Sequence, residues 1–563
     1  MCHHPTENIT LQSRLCKALH LGLAMASSHK FWGPSLITFA LLFHPKIFAA
    51  ATANAEEQIV FQAVNNTATY LNDSSFSVSV DDIFESNDDS TLGMASLCCA
   101  ALGSTLPGRV FFPDSEEYQA QEASYYSLTQ SDLKPSCRVS PTSADDVSAI
   151  VSVAGKNGCK FAVRSGGHMS WKGSSNIGPS GFTIDLQKLN SVSLSRDQSV
   201  VSIGAGCTWR MVYHSLDPYH LSTVGGRTSD VGVAGFLLGG GISFLSLEHG
   251  FGSDNVVAYE IVLADGTICV ATPNSHPDLY WAIKYGSTNF GIVTRFDMTT
   301  FPLDKFWGGA FFYNISQALP LLDSLVTFTA KLADDPKGMS AFGFLWNSDA
   351  QDYIVWGPSV YMKPVEFPPL FSDLSKIEPL SSTMRMASLV EITDEISDLF
   401  AGGVRTQWFT LTVKANAQIL FDIQEHGAAF FKPDRGRPGF ISGLTVQPIN
   451  VGLVAAGSRN GGNPIGMSTD DGDLILLLAS LFWSDPADDA ILIPKFQEFF
   501  EWTENEARQR GLLNRFLYMN YALGNQDVMG SVGEENLSRM RKIRDRYDPN
   551  DVFKKYWKGG YKL

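Results

Sequence analysis

The chain has 563 residues, 44% hydrophobic and 18% charged, a globular balance that supports a large core and excludes a fibrous or wholly disordered chain. Its formal net charge of −16 leaves no basic surplus to displace counterions from a phosphate backbone, which excludes nucleic acid as a partner. At about 150 residues per domain the length allows two or three units, and the pattern reads as two intertwined domains behind a leader.

Residues 1–54 form the expected leader. The stretch 34–53 is apolar, is broken by His44-Pro45-Lys46 and ends in small residues. Met25 and Lys30 open a short basic segment ahead of it, and Ala-x-Ala cleavage fits within 50–55, so the sequence predicts a signal peptide from Met25 and a secretory or extracellular destination. The alternative is a membrane anchor, against which the uninterrupted apolar run falls short of the ~20 residues needed to span. Cleavage leaves six cysteines. Cys98 or Cys99 with Cys137 is the expected disulfide, while Cys159, Cys207 and Cys269 lie in strand-like segments and read as buried thiols. Sequons at Asn65, Asn72, Asn314 and Asn536 are open to glycosylation on that route.

Residues 55–132 read as a polar, acidic N-terminal extension of helix or loop character. Residues 133–304 change rhythm. Ser143 caps an apolar-periodic helix, and strands at 160–164, 181–185, 199–203, 256–263 and 267–271 alternate with glycine turns and one helix at 208–216. Residues 305–510 carry strands at 308–313, 340–346 and 352–356 and helices at 317–332 and 493–509, which predicts an antiparallel sheet backed by helices. Residues 511–563 are a C-terminal segment returning to the first domain. The fold class is α+β.

Arg164-Ser165-Gly166-Gly167-His168 directly follows a strand, and paired glycines there let backbone amides turn toward an anion such as a pyrophosphate. Taken alone, Gly-Gly-His is weak and an ordinary turn explains it. Further clusters change the weighing: Thr223-Val-Gly-Gly-Arg227, Val231-Gly232-Val-Ala-Gly235, Gly239-Gly240-Gly241-Ile-Ser, and Tyr285-Gly-Ser-Thr-Asn289-Phe-Gly291-Ile292-Val293. Apolar residues interleave them, so they are not flexible linkers. His214, His220, His249 and His276 have no metal-ligand spacing, and no metal site is expected.

With Asp254-Asn-Val-Val, Asp278-Leu-Tyr-Trp-Ala and the tail motif Tyr518-Met-Asn520-Tyr521, this set over 137–302 and 518–553 resembles the berberine-bridge-enzyme-like FAD-linked oxidases. They belong to the vanillyl-alcohol-oxidase superfamily, and the glycine pieces look most like its fungal secondary-metabolite branch. The resemblance implies a PCMH-type FAD-binding domain of two subdomains, a substrate domain, and FAD held covalently through His168. It places Arg164, Ser165, Gly166, Gly167, Thr228, Val231, Gly232, Gly235, Gly239, Gly240, Asn289, Gly291, Ile292, Val293, Tyr518 and Asn520 at the cofactor. Thr228 stands where many relatives carry a second attaching cysteine, so one covalent link is expected.

Val231 matches the position that governs oxygen access, which implies an oxidase. Tyr521 is the expected proton acceptor as hydride leaves the substrate, with a packing tyrosine as the even alternative. Ala234, Tyr285 and Thr288 depart from the family pattern and put the flavin contacts near them in question. The implied activity passes hydride from a small organic molecule to FAD and then to O2, giving hydrogen peroxide, with cyclisation as a possible accompaniment. The alternatives are a secreted carbohydrate oxidase and a flavin-binding protein without turnover. Substrate and O2 are the expected partners, with no stable protein partner.

Overall fold

The computed structural model describes residues 89–348 and 351–563. The leader, Met25, Asn65 and Asn72 lie outside the described residues. Helix α1 (Asp89–Thr105) opens the described chain, followed by β1 (Val110–Phe111), α2 (Glu116–Glu122), β2 (Cys137–Val139), α3 (Ala144–Asn157), β3 (Phe161–Arg164) and β4 (Phe182–Asp185). These strands make a four-stranded sheet in the order β1-β2-β4-β3, in which β4 runs parallel to both β2 and β3. Helix α3 forms where the sequence predicts it. The Ser143 side chain accepts from Asp146 N, Asp145 and Asp146 lie in the first turn, Val147, Ile150, Val151 and Ala154 are buried, and Gly158 ends the helix at φ 69°.

The described part of the extension, residues 89–132, belongs to this unit. Its strand β1 pairs with β2, and its helix α2 supplies Glu122 to the buried Arg138, whose other carboxylate partner is Asp185 at 2.8 Å. A boundary at 132 therefore cuts through one packed layer. The disulfides differ from expectation in the same region. Cys99 pairs with Cys137 as expected, but Cys98 pairs with Cys159, which is thus no free thiol. Neighbours on a helix point about 100° apart, so two adjacent cysteines reach two different partners. Cys207 and Cys269 are free thiols, Cys207 buried and Cys269 half-buried.

The second sheet holds β5 (Val192–Leu194), β6 (Val200–Gly204), β7 (Val256–Val262), β8 (Ile268–Ala271) and β9 (Ile292–Thr299), with α4 (Trp209–Leu216) and α5 (Val233–Leu238) between β6 and β7. It is antiparallel throughout, in the order β5-β6-β9-β7-β8.

Ten strands make the third sheet. Its long members are β10 (Phe306–Tyr313), β11 (Phe342–Asn347), β12 (Asp352–Tyr361), β13 (Arg405–Lys414), β14 (Ile441–Ile449) and β15 (Leu474–Trp483), joined by helices α6 (Ala318–Lys331) and α7 (Ala417–Phe430) and followed by α8 (Asp489–Gln509). The order β10-β12-β11-β14-β15-β13 is antiparallel at every step. Alternation sorts its faces. Phe409 of β13 packs on Phe496 and Phe499 of α8, whereas its neighbour Trp408 points the other way, to His168. The sheet is therefore backed by helices on one face and closes over the glycine loops with the other. The tail, with α9 (Glu534–Tyr547) and α10 (Val552–Tyr556), returns to the first sheet, where Lys558 N donates to Phe161 O at 2.6 Å.

Candidate functional site

The loop after β3 is shaped by two glycines with separate duties. Gly167 sits at φ 66°, a conformation that favours glycine. Gly166 lies backbone to backbone on Gly232: a Cβ added at Gly166 would fall 2.6 Å from Gly232 Cα, and one at Gly232 would fall 2.5 Å from Gly166 N. The two glycine loops that were read apart in sequence thus touch through the absence of side chains. Ser165 Oγ donates to Ala205 O at 2.7 Å, which fixes the loop on the second sheet.

His168 is presented just beyond this contact. Its ring stacks on Tyr126 at 4.0 Å between centroids and lies 6.0 Å from the Trp408 ring. Tyr126 is placed by its own backbone, which donates to Gly167 O at 3.1 Å. Burial pushes the imidazole down to about 4, with Asp230 opposing, so the ring is uncharged at neutral pH.

Arg164 is held from below by groups of the extension and the first sheet. Its guanidinium donates to Gln121 O at 2.6 Å and Ser124 O at 2.9 Å, pairs with Asp185 at 3.3 Å and lies over the Tyr125 ring. Those groups fix it beneath the loop, and its buried Nε, which has no protein partner, lies where a Cβ on Gly167 would fall 2.7 Å from it.

On the second loop Thr228 and Val231 are half-buried, and Val231 O accepts from Trp209 N at 3.0 Å. Gly235, in α5, is exposed, and a Cβ there would meet nothing within 4 Å. Gly240 and Gly241 take φ of 86° and 83°. The next turn is locked by the tail: Tyr518 Oη accepts from Ile242 N at 2.8 Å, Asn520 Nδ2 donates to Phe236 O at 3.0 Å, and a Cβ on Gly239 would strike Asn520 Oδ1. Asn289 similarly ties the tail, donating to Tyr561 O at 2.8 Å and accepting from Leu563 N at 3.1 Å. Gly291, Ile292 and Val293 are buried, Ile292 and Val293 in β9 against β7. Tyr518, Asn520, Asn289 and this trio therefore hold the loops.

The departures from the family pattern have the same explanation. Tyr285 Oη donates to Leu517 O and accepts from Met519 N at 3.0 Å, and Thr288 Oγ1 donates to Gly559 O at 3.1 Å. Both anchor the returning tail. The four histidines without metal spacing each have another neighbour: His214 meets Asp394, His220 meets Asp304, His249 stacks on Phe301 and His276 meets Tyr547.

Tyr521 is half-buried and its oxygen accepts from Arg227 Nη2 at 2.6 Å, while Arg227 Nη1 donates to Gln447 Oε1 on β14. Sequence reasoning missed Arg227, Gln447, Tyr126 and Trp408. Arg227 was visible as the residue ending Gly-Gly-Arg. The others come from the extension and the third sheet, where only the assembled fold shows which face a side chain takes.

The FAD binding domain model matches residues 135–272. Physcomitrella patens BBE-like 1 shares the fold, with a TM-score of 0.66 at 19% identity over 82% of this chain and 97% of that one. The FAD-dependent monooxygenase drtC of Aspergillus calidoustus is 36% identical over 483 residues, covering 83% of this chain and 90% of the relative. The chain belongs to the family of FAD-dependent oxidoreductases that includes this Aspergillus enzyme. Another solved relative in fold is the xylooligosaccharide oxidase of Myceliophthora thermophila C1, with a TM-score of 0.65 at 19% identity over 82% of this chain and 98% of that one.

The residues present fit the family's FAD. The open space at Gly235, the positive-φ glycines and the side-chain-free contact of Gly166 with Gly232 form a cradle that any Cβ would narrow. Two buried donors on the third sheet, Trp408 Nε1 and Gln447 Nε2, have no protein partner. Ser165 to His168 and Thr228 to Gly235 are the segments that would hold the cofactor.

Proposed function

We propose that this FAD-dependent oxidoreductase is an oxidase that carries FAD on His168 and acts on a small organic molecule, a secondary-metabolite intermediate in class. Bound FAD supplies the two-electron acceptor and its reaction with O2, which yields hydrogen peroxide. The chain's residues do the rest. The observation that carries the covalent reading is His168 itself, an uncharged imidazole stacked on Tyr126 at the mouth of the paired glycine loops. Thr228 offers no thiol for a second link. Val231 lines the same loop and is the residue assigned to oxygen access. Tyr521, held by Arg227, is assigned to exchange a proton with the substrate. The two disulfides support a secretory route.

Acid-precipitated protein is expected to stay yellow and to show an FAD mass adduct on the peptide containing His168. His168→Ala should release the flavin on denaturation. Flavin that washes out of the unfolded wild type, or an adduct on Cys207 or Cys269, overturns the assignment. A second reading, oxygen insertion, is favoured by the name of the Aspergillus relative. Peroxide equal to substrate consumed supports the oxidase, and isotopically labelled oxygen in the product supports insertion. Turnover of xylobiose would move the substrate class to carbohydrates.

A further inference from the structure

Gly225 and Gly226 lie against the Trp209 ring of α4 so closely that a Cβ on either would come within 2.6 Å of it, and Tyr213 Oη donates to Gly226 O at 2.8 Å. The backbone that carries Arg227 is therefore fixed before any ligand arrives. Its guanidinium donates one N–H to Tyr521 Oη at 2.6 Å and another to Gln447 Oε1. Gln447 is 2% exposed, and its Nε2 has no partner.

The hydrogen-bonding that remains in this cluster is one-sided. Gln447 has its acceptor engaged by Arg227 and its amide N–H groups unused, and a guanidinium has five donors and no acceptor. The charge is one-sided too. Several other buried or part-buried guanidinium groups face carboxylates: Arg138 and Arg164 meet Asp185, Arg405 meets Asp132 and Asp489, and Arg437 meets Asp434 and Asp488, while the half-buried Arg435 lies over the Trp346 and Tyr353 rings instead. Arg227 has no carboxylate partner among the described residues, in a chain of net charge −16. A cation held half-buried without a counter-ion is unfavourable unless an anion completes it.

We infer that Arg227 and Gln447, beside Tyr521, form the oxyanion-binding site for the substrate, which therefore bears a carboxylate or an ionised phenol. This deepens the proposed function and rests on its placement of the substrate at Tyr521. The fork of Arg227 suits the two oxygens of a carboxylate or a single phenolate oxygen shared with Gln447 Nε2.

Benzoate is the probe, with benzamide as its neutral counterpart, each titrated calorimetrically into purified, flavin-loaded protein. Wild type is expected to bind benzoate saturably and more tightly than benzamide. Arg227→Gln should weaken benzoate binding by about ten-fold or more and leave benzamide unchanged, because a hydrogen-bonded charge is lost. Arg227→Lys keeps the charge without the fork and should fall between, which separates lost recognition from lost folding. Gln447→Leu should weaken benzoate by a smaller factor. Equal affinity for benzoate and benzamide, or benzoate binding indifferent to Arg227→Gln, overturns the inference. So does flavin loss from Arg227→Gln with benzoate binding intact, since the charge would then serve the cofactor. Colourless wild-type protein would instead sink the flavin reading, and the calorimetric comparison would still decide the anion site.

Discussion

A ring nitrogen forms a bond to carbon only while it keeps its lone pair, and for His168 that condition is set by burial. The folded imidazole titrates at about 4, below its usual 6.5, because the charged form loses water without gaining a partner. Asp230 pulls the other way and does not prevail. As pH falls through the unfolded value, the unfolded chain takes up a proton that the folded one refuses, so flavin-free protein loses stability between about 6.5 and about 4. For chemistry the same shift is protective: the ring stays neutral across the physiological range. Flavin-free protein incubated with FAD should form the His168 adduct at the same rate at about pH 5.5 as at about pH 8, followed by mass spectrometry. A rate that drops several-fold on acidification would mean that the ring is solvated and ionises normally, contrary to its stacking on Tyr126.

At the level of elements, the helix α5 and the loop ahead of it make opposite demands on glycine. Gly235 lies inside the helix facing open space, where alanine is preferred by about 1 kcal/mol. Gly232 lies on Gly166, where a Cβ overlaps backbone that cannot yield as a side chain would. Gly235→Ala should therefore raise the melting temperature of flavin-free protein while lowering the flavin content of the protein as purified. Gly232→Ala should lower both, with a stability loss of about 1–3 kcal/mol from overpacking. Equal flavin content in Gly235→Ala and wild type would show that the space beside α5 does not serve the cofactor. The contrast also shows what the sequence could convey. The cap Ser143, the strands β3, β4, β6, β7 and β8 and the turn at the His168 loop are local and were legible, since each is decided by neighbours a few residues away. β13, β14 and β15 were not singled out, and for β13 and β15 the reason is that strands buried on both faces lose the alternation that marks a half-exposed strand. The pairing of Cys98 with Cys159, the part of Tyr126 and the joining of Arg227 to Gln447 across 220 positions depend on long-range packing, and no local pattern records them.

Across the whole molecule, the tail is the piece through which the layers depend on one another. Lys558 N donates to Phe161 O in the first sheet at 2.6 Å, and Tyr561 O accepts from Asn289 just before the second sheet's β9 at 2.8 Å. The buried Tyr561 Oη donates to Ala522 O, the residue after Tyr521, at 2.6 Å and accepts from Trp171 Nε1 at 3.1 Å. The tail thus joins β3, which carries the His168 loop, to the turn that carries Tyr521. With each of these four hydrogen bonds contributing about 1 kcal/mol and Tyr561 burial about 2 kcal/mol more, deletion of 558–563 should cost roughly 6 kcal/mol. That is a large share of the ~5–15 kcal/mol that holds a typical native fold. Tyr561→Phe removes only the hydroxyl and should cost about 1–2 kcal/mol, leaving the chain folded. Because Tyr521 lies one residue from the severed contact, Tyr561→Phe should also weaken benzoate binding at Arg227 more than it lowers the melting temperature, whereas a distant surface substitution should change neither. Unaltered melting in the deletion would show that the tail is a passenger. Unaltered benzoate affinity in Tyr561→Phe, with the expected drop in melting temperature, would show that it stabilises the sheets without aligning Tyr521.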